Sequence, residues 1–300
     1  MLCDAHCHFF STRFLADLGS HLGRTGADTA EETTKLLGWE WPGSSEALAE
    51  RWEAELERHG VARAALIASV PGDEAAIATA VALHPGRFVG FFVVDPTTSD
   101  AEARTAAALR DLGLRVPCLF PALHRYPLSS VRVQRVAAIA ASMPGTALFV
   151  HCGVLSMGAR RRLGIPDRLD FRHANPLDLH PLAVAHPRLP IIVPHFGAGF
   201  LREALILADQ CPNVHLDTSS SNSWLRYHPG LTLEAVFTQA LEVAGPDRLL
   251  FGTDSSFFPR GWQRPIYERQ SAALETLGVA ADTREKVFGG NFTRLFPVRR

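Results

Sequence analysis

The sequence lacks the features that mark several common classes of protein. No apolar run approaches the about 18 to 20 residues that a membrane span requires, and the first eight residues contain neither a basic region nor an apolar signal core. The 30 Lys and Arg residues nearly balance the 31 Asp and Glu residues, so no charge excess points to nucleic acid or to an anionic membrane surface. We therefore expect a small-molecule substrate.

Cysteine is scarce as well. The chain of 300 residues has five cysteines, an odd number without repeated close pairs, which argues against a secreted disulfide framework and predicts reduced thiols in the cytoplasm. Glycine-rich phosphate loops and a serine nucleophile elbow are also missing. Hydrophobic residues make up 47% of the chain and charged residues 20%, which is ordinary for a globular enzyme and excludes a disordered or coiled-coil chain.

Short apolar runs alternate with longer helical patterns along the whole chain. Several runs, such as FFVV at 91–94, are apolar on consecutive residues, which predicts strands covered on both faces of a parallel sheet. Eight such units predict an α/β fold, a (β/α)8 TIM barrel, in one domain spanning residues 1–300. The predicted strands are 2–8, 62–70, 88–95, 114–120, 146–151, 189–195, 214–217 and 248–253. The predicted helices lie near 46–59, 73–84, 100–112, 130–142, 176–186, 199–210, 231–244, 263–277 and 282–294.

Two connections are too long for plain loops between a strand and a helix. Residues 9–45 follow the first strand, and residues 152–175 follow the fifth. Long ordered loops on a barrel usually shape a site. We therefore expect insertions after strands 1 and 5 that border the functional face.

Candidate metal ligands gather at the carboxyl ends of the predicted strands. His6 and His8 are one residue apart, so the two-residue period of a strand points both imidazoles to the same side. His151, His195 and Asp254 each follow another apolar strand, on the face where barrels place catalytic groups. Such a set of nitrogen and oxygen donors suits zinc or a similar divalent metal and leaves a position open. The alternative is that each histidine is a separate capping or core residue.

The order of these motifs resembles that of the amidohydrolase superfamily. The resemblance is to its amidohydrolase-related branch, which includes aminocarboxymuconate-semialdehyde decarboxylase. It rests on DAHCH at 4–8, FVHCG at 149–153, VPHFGAG at 193–199, FGTDS at 251–255 and GNFTRL at 290–295.

The resemblance implies roles for the residues in these motifs. His6, His8, His151 and Asp254 would bind one metal ion, with zinc expected. His195 would act as general base or polariser, and Asp254 would also move a proton. The superfamily's bridging lysine on strand four is absent, because the corresponding segment is GLRVPCLFP at 113–121 with Cys118 in its place. A mononuclear site is therefore predicted, and a homodimer is plausible by analogy.

Substrate contacts are less defined by the sequence. Arg172 and His173 follow strand five, where an arginine could hold a substrate carboxylate, although solvated surface positions fit these residues better. Trp39 could wall an aromatic ligand or anchor the first insertion by burial. Ser221, after strand seven, could touch the substrate or satisfy turn backbone.

Three functions are consistent with these residues. The first is a hydrolase that uses metal-activated water on an amide, ester or lactone. The second is a non-oxidative decarboxylase of a small aromatic or unsaturated acid, since the resembling branch contains both chemistries. The third is a non-catalytic barrel that only binds a ligand.

Overall fold

The computed structural model of the protein describes residues 1–298. Eight parallel strands form one sheet in sequential order, as the alternating pattern predicts for a (β/α)8 TIM barrel. The strands are β1 (Leu2–Phe9), β2 (Val61–Ala68), β3 (Phe88–Val94), β4 (Val116–Leu119), β5 (Leu148–Val150), β6 (Ile191–Val193), β7 (Val214–Asp217) and β8 (Leu249–Leu250).

Helices follow the strands around the outside of the barrel. They are α1 (Thr12–Ser20), α2 (Thr29–Leu37), α3 (Ser45–Arg58), α4 (Glu74–Leu83), α5 (Ala101–Arg110), α6 (Pro121–His124), α7 (Val131–Ala141), α8 (Gly158–Arg162), α9 (His180–Ala185), α10 (Leu201–Gln210), α11 (Leu233–Val243), α12 (Arg264–Thr276), α13 (Ala281–Glu285) and α14 (Asn291–Leu295). Across residues 1–298, every helix is too short or too polar to cross a bilayer.

The barrel returns from the end of β8 to β1 through a short ladder. Ala5 N donates to Phe251 O at 2.8 Å, and His8 N donates to Ser255 O at 2.7 Å. The buried Asp4 carboxylate reinforces this seam, because it accepts hydrogen bonds from Thr253 Oγ1 at 2.6 Å and from Trp262 Nε1 at 2.7 Å. The first motif of the chain therefore also holds the barrel together.

Cys118, the residue at the position of the missing lysine, lies in the barrel interior. It packs among inward-facing side chains that include Phe91, Phe149 and Leu250, and it is fully buried. Phe296 fills the amino end of the same interior, with Arg115 above its ring at 6.0 Å. Apolar side chains thus fill the barrel beneath the carboxyl ends of the strands, as is usual for this fold.

The two predicted insertions pack on each other. Phe14, Leu18 and Leu37 from the first insertion join Ile165 from the second in an apolar cluster separate from the main core, here called the roof cluster. The first insertion, residues 9–45, contains the two helices α1 and α2, which the sequence pattern did not predict. Threonines in both helices and Gly19 in α1 lower their intrinsic helix propensity, and burial in the roof cluster compensates.

The later strands are shorter than predicted. Strand β6 ends at Val193, and His195, Phe196 and Ala198 that follow have φ of 56°, 53° and 44°. Similarly, β8 ends at Leu250, and Asp254 has a φ of 61°. Such left-handed conformations are strained for residues other than glycine and occur often at functional sites. The predicted helix at 282–294 is interrupted by a π-helical turn, Lys286–Gly290.

Candidate active site

Three of the predicted metal ligands converge at the carboxyl end of the barrel. His6 Nε2 lies 3.4 Å from His8 Nε2, and Asp254 Oδ1 lies 3.1 Å from His8 Nε2 and 3.7 Å from His6 Nε2. His6 and His8 come from β1, whose alternation turns both rings to one side, and Asp254 comes from the strained turn after β8. The three donor atoms lie within 4.8 Å of one another, a spacing at which one metal ion could bind to all of them.

The Nδ1 atoms of both β1 histidines, His6 and His8, already have hydrogen-bond partners. His6 Nδ1 lies 2.7 Å from Asp217 Oδ2, and this carboxylate can only accept when ionised. His8 Nδ1 lies 2.8 Å from Ser69 Oγ, whose own hydrogen goes to Ile67 O at 3.0 Å. Both histidines therefore carry their proton on Nδ1, so their Nε2 lone pairs face each other and the Asp254 carboxylate.

This donor set fits a divalent metal ion. Two imidazole lone pairs and a carboxylate oxygen repel one another at these distances unless a cation lies between them. Burial lowers the pKa of His8. For Asp254, burial alone would raise the pKa, but the adjacent imidazoles of His8, His6 and His195 lower it overall. The neutral imidazole and the ionised carboxylate are the forms that bind metal.

His151 and His195 lie beside this cluster. The ring centroid of His195 is 4.9 Å from that of His6 and 5.2 Å from that of His151. The ring nitrogens of His151 are not among the donor groups that lie mutually within 4.8 Å, so the structure places the predicted fourth ligand near the other three but not in contact. Burial lowers the pKa of His195 and lowers that of His151 further, with neighbouring histidines adding to both shifts.

A cavity of about 1030 Å³ opens above these residues. One wall is a stack of nearly parallel rings, in which Phe14, Phe10, Trp39 and Phe257 follow one another with centroid separations of 3.9, 5.6 and 4.2 Å. Arg260 lies 4.5 Å above the Phe257 ring at the end of the stack. The stack joins the first insertion to the turn after β8.

The charged lining of the cavity is mostly cationic. Two aspartates, Asp17 and Asp254, face seven arginines, which are Arg125, Arg160, Arg161, Arg162, Arg168, Arg226 and Arg260. Several come from the second insertion, where the side chain of Arg160 is only 14% exposed and lies 3.6 Å from Asp167 Oδ1. A cavity with this lining attracts anions.

The residues predicted to contact substrate divide into two groups. Trp39 and Ser221 line the cavity. Arg172 and His173 do not, because Arg172 pairs with Asp170 at 2.6 Å with its side chain 85% exposed, and His173 turns toward the same carboxylate. The second insertion therefore contributes arginines to the cavity lining, but Arg172 is not among them. Ser69 was missed because a single serine after a strand carries no sequence signal.

Comparison with known proteins identifies the family. The model of a family described as amidohydrolase matches residues 3–298. The chain belongs to the amidohydrolase family. It is therefore a metal-dependent enzyme, as the order of its motifs implies.

A curated relative of this amidohydrolase is Protein fluG of Emericella nidulans, 30% identical over 91 residues. The alignment spans 30% of this chain and 10% of that protein.

Solved structures with the same fold are named for different activities. One is 5-carboxyvanillate decarboxylase from Novosphingobium aromaticivorans with manganese and a nitrobenzoic acid (TM-score 0.67, 17% identity, 99% and 96% of the two chains). Another is a probable 2-pyrone-4,6-dicarboxylic acid hydrolase from Acinetobacter baumannii with citric acid (0.59, 17%, 98% and 98%). A third is an amidohydrolase from Burkholderia multivorans with zinc (0.61, 15%, 100% and 100%). At these identities the likeness shows the fold alone.

Proposed function

We propose that this amidohydrolase is a mononuclear hydrolase that adds water to a small carbonyl substrate, an amide, an ester or a lactone. The observation that carries the proposal is the convergence of His6 Nε2, His8 Nε2 and Asp254 Oδ1 at the base of an open cavity. A divalent ion held there would lower the pKa of water and polarise a carbonyl oxygen. Zinc is the ion we favour, because histidine-rich sets with one carboxylate are typical of it.

His151 is our candidate for the fourth ligand. Among residues 1–298, no protein group makes a hydrogen bond to its ring nitrogens, whereas those of His6 and His8 that point outward are both held. The strongly lowered pKa, caused mainly by burial, keeps the ring neutral near pH 7. A neutral imidazole without a protein partner at the cavity base supports a ligand role.

We assign the proton transfers of the reaction to His195 and Asp254. Hydrolysis needs a group that takes a proton from water and later gives one to the leaving group. Decarboxylation by protonation of a carbon needs a group that starts out protonated. The pKa values of His195 and of the Asp254 carboxyl are both lowered, so each is in the unprotonated form that accepts a proton from water.

The arginines of the cavity support an anionic substrate. We propose that Arg160 and Arg260 hold a substrate carboxylate, in the role first considered for Arg172 and His173. The Trp39 ring in the aromatic wall suits a planar substrate, and Ser221 offers a hydroxyl. Both the hydrolase and the decarboxylase with this fold are named for carboxylic acid substrates.

Decarboxylation of such an acid is the alternative. One screen decides between the two reactions: lactones, esters and amides bearing a free carboxylate are tested beside aromatic carboxylic acids. Hydrolysis in water enriched in oxygen-18 labels the new carboxylate of the product and releases no carbon dioxide. Carbon dioxide release without net addition of water would refute the proposal.

Metal analysis and three variants complete the test. We expect about one zinc per chain, lost in His6→Ala, and no turnover in His195→Asn or Asp254→Asn. A parent protein that turns over no compound in the screen, and whose ligand affinity does not depend on metal, would be a binding protein. We further propose a cytoplasmic location, which the five free cysteines support, and a homodimer, which sedimentation would test.

A further inference from the structure

Ser219 connects two neighbouring histidines of the site, His6 and His195. It is fully buried, two residues after the end of β7. Its Oγ lies 3.0 Å from His6 Nδ1 and 2.8 Å from His195 Nδ1. Its carbonyl oxygen lies 3.3 Å from the same His195 nitrogen. The direction of these hydrogen bonds decides which nitrogen of His195 carries the proton.

The single hydrogen of the Ser219 hydroxyl has one available acceptor. His6 Nδ1 already carries a proton, which it donates toward Asp217, so Ser219 Oγ can only accept from His6. Within residues 1–298, the only other group in hydrogen-bond distance of this hydroxyl is His195 Nδ1. The hydroxyl therefore donates to His195 Nδ1, which places the ring proton on Nε2.

The opposite tautomer leaves a buried group without a partner. If His195 Nδ1 donated to the Ser219 carbonyl, the hydrogen bond would be longer, and the serine hydrogen would have no acceptor. A buried donor without an acceptor is costly in free energy. The observed distances of 2.8 Å to the hydroxyl and 3.3 Å to the carbonyl agree with the first arrangement.

We propose that Ser219 is a positioning residue that holds neutral His195 in the Nε2–H tautomer, so that His195 donates a hydrogen bond to the substrate oxygen. His195 lines the cavity and Ser219 does not, so the nitrogen remote from Ser219 is the one that meets substrate. The inference rests on the proposed function and narrows it: His195 becomes the polariser and not the base.

Asp254 is then left to accept the proton. Its Oδ1 faces His6 and His8, and no group of residues 1–298 makes a hydrogen bond to its Oδ2. An O–H bond of the attacking water breaks and its proton passes to Asp254, while the water oxygen bonds to the carbonyl carbon. The bond from that carbon to nitrogen or oxygen breaks next, and the leaving group takes the proton from Asp254.

Nitrogen-15 NMR of the full chain saturated with zinc tests the tautomer directly. Long-range proton–nitrogen spectra of histidine-labelled protein distinguish protonated from unprotonated ring nitrogens, and His195→Asn identifies the signals. We expect the proton of His195 on Nε2 in the parent and on Nδ1 in Ser219→Ala, where only the carbonyl remains as partner. Thr218→Val is the matched control, because its buried hydroxyl bonds to Gln270 and touches no histidine.

Two results would overturn the proposal: a parent with the proton on Nδ1, or a Ser219→Ala variant with an unchanged tautomer. The parent spectrum alone is decisive if the variant does not fold. With an active substrate, we expect kcat to fall 10- to 100-fold in Ser219→Ala at unchanged zinc content, and to be retained in Thr218→Val. The spectra need no substrate, so failure of hydrolysis and failure of the tautomer assignment are separate results.

Discussion

His6 Nδ1 and Asp217 Oδ2 lie 2.7 Å apart with both side chains buried, and this contact joins β1 to β7 across the top of the barrel. The carboxylate fixes the His6 ring so that Nε2 points at His8 and Asp254. It also accepts a hydrogen bond from Ser219 N at 2.6 Å. Asp217 therefore orders both His6, a proposed metal ligand, and the serine that contacts His195.

We expect Asp217→Asn to weaken zinc binding by about 10- to 100-fold, because partners that orient metal ligands contribute on this scale. The amide keeps the shape of the side chain but removes its charge and part of its capacity to accept hydrogen bonds. Competition with a chromophoric chelator measures the affinity. Asp247→Asn, on the surface, is the control. Equal affinities in parent and Asp217→Asn would contradict a role for this contact.

Arg260 is a cavity arginine whose position is fixed by its neighbours. Its guanidinium donates to Ser256 Oγ at 2.6 Å and lies over Phe257, so it is held at the cavity wall near Asp254. Loss of a hydrogen bond to a charged group costs about 1.5 to 3 kcal/mol. We expect Arg260→Gln to raise KM about 10- to 100-fold for a substrate carrying a carboxylate.

Two controls isolate the charge effect at Arg260. The KM of the corresponding methyl ester should change little in Arg260→Gln. Arg202→Gln alters an arginine whose side chain is 84% exposed and absent from the cavity lining, and should leave both KM values unchanged. An equal rise in KM for acid and ester would show that Arg260 shapes the cavity without binding the carboxylate.

The predicted site residues differ in how well sequence could locate them. The approximate ends of strands are recognisable in a sequence, so the pattern alone assigns His6, His8, His151, His195 and Asp254 to one face of a barrel. The direction of a loop side chain is not recognisable, because it depends on how the two insertions pack in the roof cluster. For this reason the sequence points to Arg172, whereas the fold turns Arg160 of the same insertion inward.

The strained backbone of the site also could not be predicted from the sequence. The pattern around 189–195 reads as one strand, since local propensity favours β structure through Val193. The left-handed turn at His195 exists only because surrounding contacts hold it. Gly153, in the turn after β5, shows one such contact.

Gly153 has a φ of 80°, and a Cβ added there would lie 2.1 Å from Gly197 O and 2.6 Å from Ala198 O. These backbone atoms belong to the turn that carries His195, and they cannot move away cheaply. We expect Gly153→Ala to lower the free energy of unfolding by about 2 to 4 kcal/mol, from overpacking and positive φ together. Urea unfolding measures the change. Gly158→Ala, where a Cβ would meet open space, is the control and should be neutral.

His215 is a buried histidine outside the candidate active site, and its pKa differs between the folded and the unfolded protein. It lies on β7 and is 7% exposed, and within residues 1–298 its Nδ1 has no hydrogen-bond partner. Burial, assisted by Arg294 and Arg248, lowers its pKa from 6.5 to about 4. The folded protein therefore holds this imidazole neutral over a range in which the unfolded chain binds a proton.

This difference makes stability depend on pH. Above about pH 6.5, His215 is neutral in both the folded and the unfolded protein, and its titration takes nothing from the free energy of unfolding. As the pH falls from 6.5 toward 4, the unfolded state alone gains the proton, so the free energy of unfolding decreases, at about 1.4 kcal/mol per unit and by about 3 kcal/mol in all. We expect His215→Gln to remove this part of the slope in urea unfolding measured from pH 7.5 to 4.5. His180→Gln, at an exposed position, should retain it, and a parent and His215→Gln with parallel pH profiles would contradict the assignment.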